Sequence, residues 1–258
     1  MNLALDHWHI EVSSICTLKC PRCTRAEVPE TLLNRQLTLE FFRKQIGETT
    51  IKKMRKISFC GDDGDPIYAK QFLQIVQWIK EINPDIQLSI ITNGSYKTAD
   101  WWQQLALSCN EYDEIHWSLD GWDQESNSKY RVNCDWNSII EGIVTFRKYN
   151  KTTYTIIATI AFRFNENNLG KIVKLAYDYN FDCWQLTKST KFGSTYPSIY
   201  GDYDLMEPLN KTLIASGHRF ERDENYITSR KRPGADLKEI FWQRAKNLQK
   251  SNEYPALC

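Results

Sequence analysis

Three cysteines stand close together near the start of the chain, between Cys16 and Cys23, in the pattern C-x3-C-x2-C. Three thiolates at this spacing can bind one metal centre. An iron–sulfur cube normally takes four protein ligands, so a loop with three cysteines would leave one iron open to another ligand. The segment therefore predicts an iron–sulfur cluster with one coordination position that the protein does not fill.

Two other interpretations of this loop are weaker. A structural zinc site needs a fourth Cys or His, but His7 and His9 lack finger-type spacing and the chain has no second C-x2-C pair. A helix with all three cysteines on a buried face is disfavoured by Pro21, which removes a backbone donor and clashes with the preceding turn. The iron–sulfur interpretation is therefore preferred.

Composition restricts the class of protein. The chain has 258 residues and is 41% hydrophobic, which is enough for one large α/β domain. Its 33 basic and 32 acidic residues give a net charge of +1, so no overall field would attract nucleic acid or an anionic membrane. The N-terminus lacks the charge and apolar pattern of a secretory signal, and the five other cysteines are scattered singly. These features predict a cytoplasmic protein with no membrane segment and no clear nucleic-acid footprint.

A repeated pattern of strand, polar loop and helix positions the cysteine loop. Strand-like segments begin near residues 7, 56, 87, 114, 154 and 183. Helical periodicity is expected over about residues 38–53, 69–82, 100–107, 137–149 and 169–179. Because parallel neighbours need helical crossovers, the pattern predicts a parallel α/β sheet, either a partial barrel or an open doubly wound sheet.

The polar loops follow the strands. Gly61–Pro66, Thr92–Gly94 and Ser118–Gly121 each come directly after a strand-like segment, as the cysteine loop does. In α/β sheets and barrels such loops share the rim at the carboxyl ends of the strands, where active sites lie. We therefore expect these loops to converge on the cysteines.

In this order, the cysteine motif and the polar loops resemble the radical SAM superfamily, in which S-adenosylmethionine (SAM) chelates the fourth iron. The resemblance covers roughly residues 7–190. It implies a partial (β/α)6 barrel with parallel strands and a 4Fe-4S cluster on Cys16, Cys20 and Cys23. It also implies reductive cleavage of SAM to a 5'-deoxyadenosyl radical that abstracts a hydrogen atom. An external electron donor such as flavodoxin or ferredoxin would be the partner.

The resemblance also implies which residues meet SAM. Asp63 to Pro66 stand in the place of a Gly-Gly-Glu-Pro-like motif, a partial match whose backbone oxygens would bind the methionine amino group. Thr92 and Asn93 match the third strand end. The residues implied to bind SAM are Arg22, Asp63, Gly64, Asp65, Thr92, Asn93, Ser118, Asp120, Arg131 and Asn165. Arg22 departs from the family, which often has an aromatic there, so its backbone is expected to meet the adenine.

The expected domain organisation is a radical SAM core over residues 1–190 and a C-terminal extension over 191–258. The extension is predicted to hold a lid-like loop and a terminal helix. Larger relatives of the SPASM and twitch groups carry cysteine-rich extensions with extra clusters. Here the extension contains only Cys258, so no auxiliary cluster is expected.

Three functions are compatible with these features. A radical SAM enzyme is the leading interpretation, and a peptide is the favoured substrate because the chain resembles peptide-maturing members. A ring-forming enzyme of the 7-deazaguanine type is an alternative, since a compact chain with one cluster would permit it. A non-catalytic iron–sulfur redox-sensing module is a third, and it would neither bind nor cleave SAM.

Overall fold

A computed structural model describes residues 6–27, 29–61, 63–187, 205–210 and 219–220. They form one seven-stranded sheet whose strands follow one another in sequence order. Strands β1 to β6 pair in parallel, and β7 pairs antiparallel to β6. The six parallel strands with their helical crossovers confirm the predicted partial (β/α)6 barrel.

The elements lie close to their predicted positions. The strands are β1 His7–His9, β2 Lys56–Phe59, β3 Gln87–Thr92, β4 Glu114–Ser118, β5 Tyr154–Ile160, β6 Cys183–Thr187 and β7 Arg219–Phe220. The helices are α1 Thr24–Glu27, α2 Leu39–Phe41, α3 Glu48–Lys53, α4 Phe72–Ile82, α5 Ala99–Ser108, α6 Gln124–Ser128, α7 Trp136–Tyr149 and α8 Leu169–Asp178. Short 3₁₀ turns occupy Pro29–Thr31 and Pro66–Tyr68, and Phe42–Ile46 forms a π-helical turn.

The two faces of the sheet differ in burial. Successive side chains of a strand point to opposite faces, and the face that packs under the helices is apolar and buried. It includes Ile57, Phe59, Leu88, Ile90, Ile115, Trp117, Ile157, Trp184 and Leu186. We call the opposite side the inner face, and it carries most of the polar strand residues. The inner face includes His7, His9, Lys56, Ser58, Ser89, Glu114, His116, Ser118, Ala158, Gln185 and Thr187.

The helix predicted over residues 38–53 is interrupted. Its start is as predicted, because the Thr38 hydroxyl accepts a hydrogen bond from the Phe41 backbone N–H at 3.1 Å and caps α2. Gly47, however, has a φ of +74°, which glycine adopts without steric cost, and it separates the π-helical turn from α3. The single long helix was therefore a wrong prediction.

Two other segments near the cysteine loop also differ from the sequence-based expectation. The alternating run from His7 to Ser14 predicts one strand, but β1 ends at His9, because the chain beyond Ile10 pairs with a different segment. The Ser14 backbone N–H donates to the Arg35 carbonyl, and that of Leu37 donates to the Val12 carbonyl, both at 2.9 Å. The segment over residues 24–35 is polar and contains Pro29, which predicts an extended crossing, but it contains α1 and a 3₁₀ turn.

Beyond residue 187 the structure describes residues 205–210 and 219–220. The predicted lid-like loop and terminal helix lie outside the described residues. No helix within the described ranges is both long and apolar enough to cross a bilayer.

Candidate cofactor site

The cysteine loop is fixed by hydrogen bonds from the loop that follows β2 and from the segment between α6 and α7. The Asp65 backbone N–H donates to the Ile15 carbonyl at 3.0 Å. On the other side, the Lys19 N–H donates to the Val132 carbonyl and the Asn133 side-chain amide donates to the Thr17 carbonyl, both at 2.9 Å. The described structure thus brings these loops together at one rim, the carboxyl ends of the strands.

Two glycines allow the loop after β2 to pack directly on the cysteine loop. A Cβ atom at Gly64 would lie 1.9 Å from the Ser13 carbonyl oxygen, and one at Gly61 would lie 1.7 Å from the Gly64 oxygen. Because both obstacles are backbone atoms, a larger residue would displace the loop. Arg25, two residues after the last cysteine, joins the same segments by donating to the Ser14 carbonyl and to the Asp63 carbonyl.

Asp65 connects the loop after β2 to the end of β3. Its buried carboxylate accepts hydrogen bonds from the Thr92 hydroxyl at 2.9 Å, and from the Asn93 backbone N–H and side-chain amide at 2.7 and 2.6 Å. It also accepts from the Ile67 N–H at 3.2 Å. Burial raises the pKa of Asp65 to about 6, while these donors act in the opposite direction. The predicted residues Asp65, Thr92 and Asn93 therefore form one network.

We expect Asp65→Asn to weaken this network. The carboxylate accepts four hydrogen bonds, and in the variant one of its oxygens would be replaced by an NH₂ group, which cannot accept from these donors. The expected loss of unfolding free energy is about 1–3 kcal/mol, the cost of leaving buried polar groups unpaired. Urea unfolding measures it. The matched control is Asp63→Asn, since the Asp63 side chain makes no hydrogen bond within the described residues, and its stability should stay within about 0.5 kcal/mol of wild type. Equal stability of the two variants would contradict the assigned role of Asp65.

Hydrogen-bond donors approach the thiol of Cys16, while burial disfavours the thiolate forms of Cys16 and Cys20. The Leu18 backbone N–H and the Asn93 side-chain amide approach the Cys16 sulfur at 3.4 and 3.5 Å. Burial raises the pKa of Cys16 to about 12 and that of Cys20 to about 11, and Arg131 opposes the rise at Cys20. Buried thiolates therefore need positive charge nearby, which a bound iron centre would supply.

No three His, Cys, Asp or Glu side chains in the described ranges form a group that could hold a single metal ion. A 4Fe-4S cluster needs a different arrangement of ligands from a single ion, because each cysteine binds a different iron. It requires neighbouring sulfurs with hydrogen-bond donors around them. Cys16, Cys20 and Cys23 lie within eight residues of the sequence. They are also near one another in the fold, since a thiolate charge on Cys20 or on Cys23 would raise the pKa of Cys16. The residues present therefore fit the group.

Arg131 and Asp120 form a buried ion pair beside the cysteines. Arg131 Nε lies 2.6 Å from Asp120 Oδ2, and the Asp120 side chain is fully buried. The other carboxylate oxygen of Asp120 accepts from the Ile160 N–H at 2.7 Å. Although burial lowers the pKa of Arg131, the charges of Asp120 and Cys20 outweigh that effect and raise it. The sequence predicted both residues at the rim but did not predict their pairing.

The remaining predicted residues differ in what they present to a ligand. The side chain of Asn165 is engaged by other residues of the protein. Its amide donates to the Asp120 and Ile160 carbonyls and accepts from the Phe162 N–H. The Arg22 side chain is buried. The Ser118 side chain lies partly exposed at the end of β4, with no hydrogen bond to another described residue. Contact of these residues with SAM stays a prediction.

Several residues that connect the loops at the rim were not predicted from the sequence. The Tyr68 hydroxyl accepts from Thr17 at 2.7 Å and donates to the Ser95 carbonyl at 2.9 Å, which links three loops. Asn133 has a φ of +69° and binds the cysteine loop through its side chain. Asn is one of the few residues that tolerate this backbone conformation, but the residue type alone does not reveal the contact.

Comparisons with known proteins agree with this fold. The family model described as the radical SAM superfamily matches residues 10–176. The structure of SuiB from Streptococcus suis bound to precursor peptide SuiA superposes with a TM-score of 0.60 at 15% identity, covering 96% of this chain and 47% of that one. Native anSMEcpe with bound AdoMet and Cp18Cys peptide superposes with a TM-score of 0.60 at 17% identity, covering 87% and 61%.

This chain therefore spans about half of the SuiB chain and three fifths of the anSMEcpe chain. No curated protein matches it by sequence. At these low identities the two structures establish a shared fold. The family model, which covers more than half of the sequence, establishes the family. The chain belongs to the radical SAM superfamily of enzymes.

Proposed function

We propose that this protein modifies a peptide, with a 4Fe-4S cluster on Cys16, Cys20 and Cys23 and with SAM as its cofactors. When bound, these groups supply reductive cleavage of SAM and abstraction of a hydrogen atom from the substrate. The observation that carries the proposal is the packing of the cysteine loop against the polar loops, with donors from Leu18 and Asn93 directed at the Cys16 sulfur.

The residues of the rim have two kinds of role in this proposal. Asp65, Asn165 and the Arg131–Asp120 pair position the loops, since their polar atoms are engaged within the protein. One side chain of the set with no hydrogen bond to another described residue, and so with freedom to meet SAM, is Ser118 at the end of β4. The backbone of Arg22, Asp63 and Gly64, together with Thr92 and Asn93, completes the proposed SAM site.

The peptide substrate and the partners are also proposals. SuiB binds the precursor peptide SuiA and anSMEcpe binds the Cp18Cys peptide, and both proteins share this fold. An external electron donor, such as flavodoxin or ferredoxin, is required because reductive cleavage consumes an electron. A cytoplasmic location fits the free cysteines at positions 16, 20, 23, 60, 109, 134 and 183, because a reducing compartment keeps thiols unpaired.

Anaerobic incubation with iron, sulfide, SAM and dithionite tests the proposed chemistry. We expect 5'-deoxyadenosine and methionine to form in equal amounts, measured by liquid chromatography and mass spectrometry. A redox-sensing module would produce neither. Protein that holds a full complement of iron but yields no deoxyadenosine above the protein-free rate would refute the proposal.

Ser118→Ala is expected to weaken SAM binding while leaving the iron content unchanged. Loss of one neutral hydrogen bond corresponds to a roughly 2- to 10-fold rise in Kd. Equilibrium dialysis with labelled SAM measures the affinity, and iron analysis measures the cluster. The control is Ser89→Ala, which removes the same hydroxyl from the inner face of β3, further from the rim. A wild-type Kd in Ser118→Ala would show that this hydroxyl does not meet SAM.

A further inference from the structure

A cysteine and a histidine form a close pair outside the cysteine loop. Cys60 directly follows β2, and His9 ends the neighbouring strand β1. His9 Nε2 lies 2.7 Å from the Cys60 sulfur. At this distance a neutral imidazole accepts the thiol proton, and a protonated imidazole donates to the thiolate. The pair can therefore hold Cys60 as a thiolate, which is the form of cysteine that acts as a nucleophile.

Cys60 also differs in exposure from the other thiols outside the cysteine loop. Of the described cysteines outside the C-x3-C-x2-C segment, Cys109, Cys134 and Cys183 are buried, whereas Cys60 is partly exposed. Its partner His9 is exposed. Burial raises the pKa of Cys109, which keeps that thiol protonated. A reagent in solution would therefore reach a thiol with an adjacent base at Cys60 and be kept from the three buried thiols.

The loop that begins at Cys60 is linked to the segment that follows β1. One link is the pair of His9 and Cys60 itself. In another, the Asp63 backbone N–H donates to Glu11 Oε1 at 3.2 Å. A group attached to the Cys60 sulfur would break the first link and displace the start of the loop.

The loop is packed too tightly to absorb such a displacement. Gly61, the residue after Cys60, lies so close to the Gly64 carbonyl that a Cβ atom on it would be 1.7 Å from that oxygen. The backbone of Asp63 and Gly64 belongs to the proposed SAM site. A displacement at Cys60 would therefore move part of that site.

The structure assigns to Cys60 a redox modification site, at which the thiolate paired with His9 forms a mixed disulfide with a small disulfide such as oxidised glutathione and thereby weakens SAM binding. The effect on SAM rests on the proposed function, whereas the reactivity of the thiol does not.

The reaction is a thiol–disulfide exchange. The Cys60 thiolate attacks one sulfur of the small disulfide, so that a new S–S bond forms and the old one breaks. The Cys60 sulfur is oxidised and the leaving sulfur is reduced. The leaving thiolate takes the proton that His9 received from Cys60. A thiol reductant reverses the exchange and restores the pair.

Anaerobic incubation of the cluster-loaded protein with oxidised glutathione at pH 7 tests the reactivity. Peptide mass spectrometry after an acid quench measures how fast each cysteine gains glutathione. We expect the adduct at Cys60, and we expect Cys109, Cys134 and Cys183 to react at least about tenfold more slowly because they are buried.

Two histidine variants show whether His9 activates the thiol. His9→Gln should slow the reaction by about 3- to 10-fold, because an unassisted thiol is little ionised at pH 7 and the greater nucleophilicity of its thiolate offsets only part of that loss. His7→Gln is the matched control. It removes the same ring from the same face of β1, where His7 lies 2.9 Å from the Ser58 hydroxyl, and it should leave the rate unchanged.

Equilibrium dialysis with labelled SAM measures the consequence of the modification. Glutathione on Cys60 should raise the Kd for SAM by at least about tenfold, because the displaced loop backbone would lose hydrogen bonds to the ligand. Dithiothreitol should restore the affinity. Cys60→Ser is the control, and it should bind SAM with wild-type affinity before and after the same treatment.

Three results would overturn the inference: no adduct at Cys60, equal rates in wild type and His9→Gln, or wild-type SAM affinity in the modified protein. Iron content shows whether each variant has folded, and His9→Asn replaces His9→Gln if the latter has not. Failure of the proposed function would look different, because the unmodified protein would then yield no deoxyadenosine even if Cys60 formed the adduct.

Discussion

Replacement of Arg131 by methionine is expected to lower the free energy of unfolding by about 3–5 kcal/mol, the usual effect of breaking a buried ion pair. The cause is the fully buried Asp120 carboxylate, which would lose the guanidinium 2.6 Å away. The residues that follow Arg131 also hold the cysteine loop, through Val132 and Asn133. We therefore expect Arg131→Met to lose iron and SAM binding as well as stability.

A second buried ion pair provides the matched control. Lys80 Nζ lies 2.7 Å from Asp113 Oδ1, with side-chain exposures of 10% and 0%, and Asp113 precedes β4 at the end opposite the rim. Lys80→Met should lose a similar amount of stability in urea unfolding but keep its iron. The double variant Asp120→Asn/Arg131→Met should recover part of the stability, because it leaves no buried charge unpaired. Wild-type stability of Arg131→Met, or iron loss in Lys80→Met, would contradict this account.

The largest effect on the cofactor is expected from the cysteines of the loop. Cys16→Ala, Cys20→Ala and Cys23→Ala should each abolish the cluster, because each removes one of three protein ligands. Iron and sulfide analysis after anaerobic reconstitution should give about four irons per chain in wild type, the content of one 4Fe-4S cluster, and far fewer in each variant.

Cys109→Ala and Cys134→Ala are the controls for this experiment. Both cysteines are buried and lie outside the C-x3-C-x2-C segment, so these variants should retain the wild-type iron content. A full cluster in Cys20→Ala would exclude the proposed ligand set. Iron loss in Cys109→Ala would show instead that iron content depends on the stability of the whole fold and does not identify the ligands.

The sequence predicted the sheet well because its strands carry a strong local signal. β5, for example, is rich in β-branched residues, and the apolar residues of α4 recur at helical spacing. The break at Gly47 was missed, because a single glycine within a helical pattern is often tolerated. Its φ of +74° shows that here the glycine ends the helical turn.

The order of the polar loops was predictable because parallel strands place all their carboxyl ends on one rim. The pairing of side chains within that rim was not. Asp120 and Arg131 are 11 residues apart, and Thr17 and Tyr68 are 51 apart, so no local pattern reveals that they meet. The same is true of Ala158 and Gln185, whose neighbourhood follows from the register of β5 and β6.

We propose above all that three cysteines hold a cluster whose remaining iron binds SAM. Electron paramagnetic resonance of the reduced, reconstituted protein tests it most directly, because a new ligand at one iron changes the g-values of the cluster. We expect a saturable change in the spectrum as SAM is added to wild type. A spectrum with the signal of a reduced 4Fe-4S cluster that SAM leaves unchanged at saturating concentration would contradict it.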